Sequence, residues 1–254
     1  MEEPCAYSDL STTNLGDPAI KVSGYSLTTA CTLSYHPQNF FPKLRARLLP
    51  RIQAVLEEEA KTCPELSTAV NMFPPSLDDT THNFVFFKHN SESLSQHKTI
   101  WVNYTTYDMW RGTDIVKPEG PRCNIMLLAN HTSGSNSSNL HHFIYARVLG
   151  VYHAVVIYTG PGMQNFEAHA FQMLWVRWYE VVDPGSSGWI SSTMDMLCFP
   201  PLHQDNSFGF VDLEVVLRGS HILPVFDKGK RESQINVSYS AKDNKDYLLY
   251  YVGR

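Results

Sequence analysis

Apolar residues recur at helical spacing in one segment of the chain. They are Leu44, Leu48, Leu49, Ile52, Val55 and Leu56, which share one face of a helix. Asn39 suits the N-cap position, and Pro64 follows the expected end of the helix. Pro50 interrupts the run, and an interior proline removes a backbone hydrogen bond. The pattern therefore predicts a kinked amphipathic helix over residues 39–63, or two abutting helices that meet near residue 49.

From about residue 83 the pattern changes to short runs rich in aromatic and β-branched residues. The predicted strands cover residues 84–88, 99–107, 124–129, 142–158, 171–182, 208–216, 222–226 and 247–252. Residues 159–162 and 183–188 have the glycine and proline content of turns, and residues 130–139 have the composition of an exposed polar loop. This succession indicates a mainly antiparallel β domain.

The chain therefore divides into three regions. Residues 1–38 are rich in Ser, Thr, Gly and Pro, which predicts a disordered or loosely ordered segment, with a short strand over 20–27 as an alternative. The kinked helix at 39–63 and a β domain at 81–254 follow. The predicted fold class is α+β, with a barrel-like or sandwich-like β domain. Because the sequence stops just after an aromatic strand, we expect this domain to be truncated at Arg254 and to continue beyond it.

Composition limits the function classes. Hydrophobic residues make up 43% of the chain and charged residues 18%, which favours a folded protein. A formal net charge of -5 excludes coating of nucleic acid by bulk positive charge, so a DNA contact would require a local basic patch. The first residues lack a secretory signal, and no apolar run reaches the roughly 20 residues of a membrane helix. We expect an intracellular protein with no membrane partner.

The usual motifs of catalysis and metal binding are not found in the sequence. The 5 cysteines are widely spaced, which is typical of free thiols in a reducing compartment. A zinc site would have to combine distant residues, namely Cys123, His131, Cys198 and His203. The glycines match neither a phosphate-binding loop nor a nucleophile elbow. We therefore expect no metal, no cofactor and no catalytic residues, in a protein that is not an enzyme.

The predicted helix carries a basic stripe. Lys43, Arg47 and Arg51 are spaced four residues apart, so they lie along one side of the helix. Three glutamates at 57–59 follow, and this order of charges opposes the helix dipole. The functional interpretation is a binding stripe for phosphate or for an acidic partner. The alternative is an ordinary solvated face.

Aromatic residues, 12% of the chain, cluster in the later strands. Alternation along residues 175–179 places Trp175, Arg177 and Tyr179 on one face, which we expect to be partly wet because it carries an arginine. Grouped rings can stack on bases or enclose methylated lysine, whereas strand aromatics are ordinarily part of the core. The candidate binding residues are Tyr145, Arg177, Trp178 and Tyr179.

Several segments together resemble a large group of uncharacterised proteins from mushroom-forming (basidiomycete) fungi, often encoded in or beside transposable elements. The segments are NYTTYD (103–108), IMLLANH (125–131), YARVLG (145–150), LWVRW (174–178), VDPGSSGW (182–189), FGFVD (208–212) and KDYLLYY (245–251). The resemblance covers roughly residues 40–254. In that group further sequence follows the last strand, which implies a truncated domain here.

A second resemblance lies within the first. The order YARVL (145–149), WVRWY (175–179), VLRGSHILPV (216–225) and YLLYY (247–251) is similar to bromo-adjacent homology domains, which are β modules of chromatin proteins. This similarity implies a platform that binds a histone or another protein, in some members with an aromatic cage.

Two functional hypotheses follow. The first is a non-enzymatic interaction module, nuclear rather than cytoplasmic, that binds a protein or histone peptide through the aromatic face. The second is the DNA-handling or assembly remnant of a transposase-type polypeptide whose catalytic domain is missing. The second hypothesis requires a basic surface, to which Lys43, Arg45, Arg47, Arg51, Arg147 and Arg177 would contribute. The first requires a concave pocket lined by aromatic rings.

Overall fold

The computed structural model describes residues 21–28, 40–63, 66–74, 81–88, 94–129, 142–182, 194–231, 241 and 246–253, with residues 21–28 described by their backbone pairing. The predicted loop at 130–139 and the predicted turn at 183–188 lie outside the described residues. So do Asn39, the expected helix cap, and most of the segment expected to be loosely ordered.

The first helix, α1, spans Phe40–Ala60 and passes through Pro50 without interruption. The predicted helix is therefore confirmed as a single helix, and the alternative of two abutting helices is wrong. Its buried residues follow the predicted apolar face. They are Phe40, Leu44, Leu48, Leu49, Ile52 and Leu56. A short helix, α2, follows at Ser67–Asn71.

The described residues contain strands β1 to β13. Their bounds are β1 Lys21–Thr28, β2 Val85–Phe87, β3 Leu94–Thr105, β4 Arg111–Val116, β5 Asn124–Leu128, β6 Phe143–Tyr158, β7 Ala168–Trp178, β8 Glu180–Val181, β9 Met196–Cys198, β10 Phe208–Asp212, β11 Val216–Gly219, β12 His221–Pro224 and β13 Tyr250–Gly253. Each predicted strand overlaps an observed strand. Strand β1 lies where a short strand over 20–27 was the alternative to a loosely ordered segment. The sequence pattern missed β4 and β9, and the predicted strand at 208–216 is divided by the short 3-10 helix Leu213–Val215.

The large sheet is organised around β6, which is 16 residues long. One edge of β6 pairs with β7, and the other edge pairs in turn with β5, β3 and β2. A register shift between Val148 and Gly150 marks a bulge in β6. Every one of these pairings is antiparallel, as expected for a domain built from consecutive strands and short turns.

The remaining strands extend this sheet or form a second one. β3 pairs with β1 on one edge and with β6 and β4 on the other, while β10 pairs with β7 and β11 with β5. The small sheet has the strand order β12–β13–β9–β8. Both sheets are open, so the predicted α+β class is confirmed in its sandwich-like form, and the barrel-like form is wrong.

Helix α1 packs on one face of the large sheet and forms the helix core. The Phe40 ring lies edge-on to Trp175, Phe210 and Tyr152, with centroid distances of 5.0, 5.1 and 5.6 Å. Each buried side chain of α1 contributes about 1.5–3 kcal/mol through removal from water. The opposite face of the sheet forms the inner core, which is lined by Val148, Val151, Leu174, Val176, Ile100, Ile125 and Val216, among others.

The small sheet has its own core, made by Tyr145, Tyr179, Leu197, Phe199, Tyr250 and Val252. Alternation along β7 places Arg177 on the same face as Met173 and Trp175, which belong to the helix core. Arg177 contacts Asp246 and Phe199, which lie at the small sheet. The small sheet and α1 therefore cover different ends of the same face of the large sheet.

We expect Pro50→Ala to stabilise the protein. Pro50 is exposed inside a continuous helix, where proline costs up to about 3 kcal/mol relative to alanine, so the free energy of unfolding in urea should rise by about 1–3 kcal/mol. Ala54→Gly, at another exposed position of α1, should lower it by about 1 kcal/mol. A loss of stability in Pro50→Ala would contradict this and would mean that packing requires the bend that proline imposes.

Candidate functional site

Two arginines of the large sheet share one carboxylate at the boundary with the small sheet. Arg147 on β6 and Arg177 on β7 are paired across these strands. Arg147 Nη1 lies 2.7 Å from Asp246 Oδ1, and Arg177 Nη1 donates to Asp246 Oδ2. The Tyr250 hydroxyl donates to Asp246 Oδ1 at 3.3 Å. We call these four residues, together with Phe199, the arginine–aspartate cluster.

Phe199 lies against both guanidinium groups. Its ring centroid is 3.9 Å from Arg177 Cζ and 4.5 Å from Arg147 Cζ, distances at which a ring stabilises a cation. Burial acts to lower the pKa of Arg147, but the neighbouring tyrosines and the Asp246 carboxylate outweigh it, so that pKa is raised. Burial also raises the pKa of Tyr179. The cluster thus holds charged arginines beside a neutral phenol.

The predicted aromatic face is part of the core. Tyr145, Arg177 and Tyr179 are 3%, 0% and 6% exposed, and Trp178 packs against the inner core. The expectation of a partly solvated face is wrong, because the helix core covers Trp175 and the contacts of Arg177 and Tyr179 with Phe199 bury the rest of this face. The predicted alternation is nevertheless present, since Trp175 belongs to the helix core and Val176 to the inner core.

The basic stripe of α1 faces the large sheet. Arg51 Nη1 lies 2.9 Å from Asp212 Oδ1, and Arg47 forms an ion pair with Asp212 Oδ2. Lys43 Nζ donates to the carbonyl oxygen of Phe208 at 3.2 Å. The acidic partner expected for this stripe is therefore a residue at the end of β10 in the same chain. These contacts hold α1 on the sheet.

The arginines expected on a DNA-binding face are separated. Arg47 and Arg51 lie on α1 beside Asp212, whereas Arg147 and Arg177 lie in the arginine–aspartate cluster. The structure does not bring these candidate basic residues together on one surface.

A cleft with a volume of about 670 Å³ lies between the two sheets. Residues of β4, β5, β6 and β11 from the large sheet line it, together with residues of β12 and β13 from the small sheet. The chain passes from one sheet to the other at Ser220, whose N–H donates to the carbonyl of Asn124 at 2.9 Å. We call this the intersheet cleft.

Three buried polar side chains line the cleft. Asn124, Tyr145 and Asp195 are 6%, 3% and 5% exposed. The Tyr145 hydroxyl lies 3.4 Å from Asp195 Oδ2, and the Tyr179 hydroxyl donates to Asn124 Oδ1 at 3.2 Å. The N–H of Val252 fixes the backbone here by donating to the Asp195 carbonyl at 3.0 Å. This wall of the cleft is therefore polar although it is buried.

Exposed charges line the outer part of the cleft. Arg218 Nε lies 3.4 Å from Asp114 Oδ2, and the N–H of Gly219 donates to the same oxygen at 3.0 Å. A Cβ atom on Gly219 would lie 3.3 Å from Asp114 Cβ, so glycine allows this close approach of β11 to β4. The exposed side chains of Arg122 and His221 also line the cleft.

The residues considered for a zinc site are not joined by the structure. His131 lies outside the described residues, and Cys123 and Cys198 are thiols that form no disulfide. Burial and the nearby Glu180 raise the pKa of Cys198. Across the described ranges, no group of three or more His, Cys, Asp or Glu residues could hold a metal ion.

Sequence reasoning missed the two acids that matter most here, Asp195 and Asp246. Neither belongs to a recognisable motif, and both are among 25 acidic residues. Their burial, 5% and 1% exposed, becomes visible when the two sheets are in place. Of the four predicted binding residues, Tyr145 lines the intersheet cleft.

Comparison with known proteins found no matching family model, no matching curated protein and no matching solved structure. Within the described part of the chain, no helix has the length and apolar character needed to cross a bilayer.

We expect Asp246→Asn to destabilise the protein strongly. The change leaves two buried arginines without their shared carboxylate, and an uncompensated buried charge costs about 3–5 kcal/mol. The free energy of unfolding, measured with denaturant, should fall by this amount. Asp227→Asn makes the same chemical change at an exposed position and should alter stability by less than about 0.5 kcal/mol. Equal stabilities of the two variants would show that the cluster does not hold the sheets together.

Proposed function

We propose that the protein is a non-enzymatic interaction module that binds an extended, basic segment of a protein partner in the intersheet cleft. A histone tail is the partner class that the resemblance to bromo-adjacent homology domains favours, with a nuclear, chromatin-associated role. The observation that carries the proposal is the buried carboxylate of Asp195 beside Tyr145 in a cleft of about 670 Å³.

The cleft has the size and chemistry of a peptide site. Ligand pockets commonly have volumes of roughly 300–1,000 Å³. Asp195 would attract a lysine or arginine side chain, and the rings of Phe143 and Tyr145 from the same strand would add cation–π attraction. At the outer part of the cleft, Arg122 and Arg218 can donate to peptide carbonyl groups.

The side chains of the cleft favour binding over catalysis. Ser220 and His221 both line it and would be the natural nucleophile and base. They are neighbours in the sequence, however, with Ser220 between β11 and β12 and His221 at the start of β12. The described residues offer no hydrogen bond between them, which a hydrolytic pair would need.

We expect Asp195→Asn to weaken binding of a fluorescently labelled, lysine-rich histone-tail peptide by about 10-fold to 100-fold, measured by anisotropy. The variant loses a charge-assisted hydrogen bond, which is worth about 1.5–3 kcal/mol. Glu214→Gln, an exposed carboxylate outside the cleft, serves as the matched control and should bind as the unaltered protein does.

Two results would refute the proposal. One is the absence of peptide binding at low salt, and the other is equal affinity of Asp195→Asn and the unaltered protein. A parallel titration with duplex DNA addresses the DNA-handling hypothesis. Tight binding to DNA with a steep salt dependence, without peptide binding, would favour that hypothesis instead.

A further inference from the structure

The β3–β4 hairpin ends in a cluster of exposed apolar side chains. Tyr107, Met109 and Trp110 are 99%, 83% and 75% exposed, and we call these three residues the hairpin tip. Soluble proteins rarely leave large apolar side chains grouped in water unless they contact a partner. Tyrosine and tryptophan are also the residue types that dominate binding energy at protein interfaces.

The tip is ordered by its own hydrogen bonds. Thr106 N–H donates to the Trp110 carbonyl at 2.8 Å, and Met109 N–H donates to the Thr106 carbonyl at 3.0 Å. Trp110 N–H donates to Thr106 Oγ1 at 3.1 Å. A loop backbone held in this way loses little entropy on binding, which favours contacts made by the side chains that it carries.

Met109 adopts a backbone conformation that does not suit methionine. Its φ of 63° lies in the left-handed region, where glycine or asparagine is the usual residue. A sequence selected for stability alone would place glycine here. Strain of this kind is retained where the side chain has a use, which supports a contact role for Met109.

A second copy of the chain and a bilayer are poor occupants of the tip. Each aromatic ring can bury about 150–250 Å², so the tip offers roughly 500 Å², less than the roughly 800 Å² that each partner of a stable dimer buries. Asp108 lies between Tyr107 and Met109, and the chain has a net charge of -5, which opposes anionic lipid surfaces. A protein segment that makes additional contacts elsewhere fits better.

Strand β4 leads from the tip to the intersheet cleft. Strand β4 begins beside Trp110 and lines the cleft from Thr113 onward. Arg218 of the cleft stacks 4.5 Å from the Tyr104 ring on the neighbouring strand β3. At 3.3 Å per residue, the path from Trp110 to Asp114 is about 13 Å, the length of about four residues of an extended peptide.

We propose that the hairpin tip is a second contact for the partner segment that occupies the cleft. That segment would carry an apolar residue in addition to its cationic residue, separated along an extended chain so that both contacts form together. This inference rests on the proposed function, since it assumes a basic peptide in the cleft.

Selection from a random 12-residue peptide display library tests the proposal. The unaltered protein should enrich peptides with a lysine or arginine and with an apolar residue at a constant spacing from it. Binding of a selected peptide should weaken at least 10-fold in Tyr107→Ser/Trp110→Ser. Replacing the peptide's apolar residue with serine should weaken binding to the unaltered protein but not to this variant. Phe166→Ser, an exposed phenylalanine elsewhere, is the matched control and should bind normally.

The possible failures can be told apart. Enrichment of basic residues without an apolar residue at a constant spacing from them would overturn the role of the tip and leave the cleft proposal standing. Failure to enrich any peptide would overturn both. Self-association that is lost in Tyr107→Ser/Trp110→Ser, measured by sedimentation, would overturn the proposal in favour of a second copy as the occupant. Met109→Gly should have the same or a higher melting temperature than the unaltered protein. Weaker peptide binding in this variant would therefore be due to the missing methionine side chain and not to unfolding.

Discussion

Arg147 and Arg177, on adjacent strands of the large sheet, share one buried carboxylate, and that carboxylate belongs to the segment leading into β13 of the small sheet. Two buried cations on the large sheet require a compensating charge, and Asp246 supplies it. Because Asp246 is connected to β13, this contact holds the small sheet against the large one. The core of the small sheet is limited to a few side chains, so apolar burial alone would fix its position poorly. A buried ion pair has a defined geometry and therefore sets the position of one sheet against the other.

The same face of the large sheet packs against both α1 and the small sheet. At one end its aromatic residues receive the apolar face of α1, and at the other its arginines receive the small sheet. The bulge near Gly150 in β6 separates the two regions. The basic stripe of α1 follows from this arrangement, because the helix meets the sheet beside Asp212, and its arginines pair there. The basic residues near the start of α1 thus have tertiary partners, although their position opposes the helix dipole.

Local patterns were sufficient to predict α1, whose apolar residues repeat at helical spacing, and the long strands, which are runs rich in aromatic and β-branched residues. Features that depend on distant partners could not be predicted this way. Arg177 beside two aromatic residues fits a wet binding face as well as an internal contact, and the deciding residue, Asp246, lies 69 positions away. The partner of Arg47 is 165 positions away. The cleft is formed by two sheets together, so no single segment of sequence carries its signal.

Strand β4 shows why the candidate site in particular escaped prediction. Its sequence, RGTDIV, has no apolar alternation, and its residues are mostly exposed or half-buried. Yet this strand supplies Asp114 to the cleft and follows directly on the hairpin tip. Periodicity identifies residues that a fold buries, whereas a binding surface needs residues that the fold leaves available. A strand held by its pairing with β3, rather than by its own apolar face, is free to carry polar side chains toward a partner.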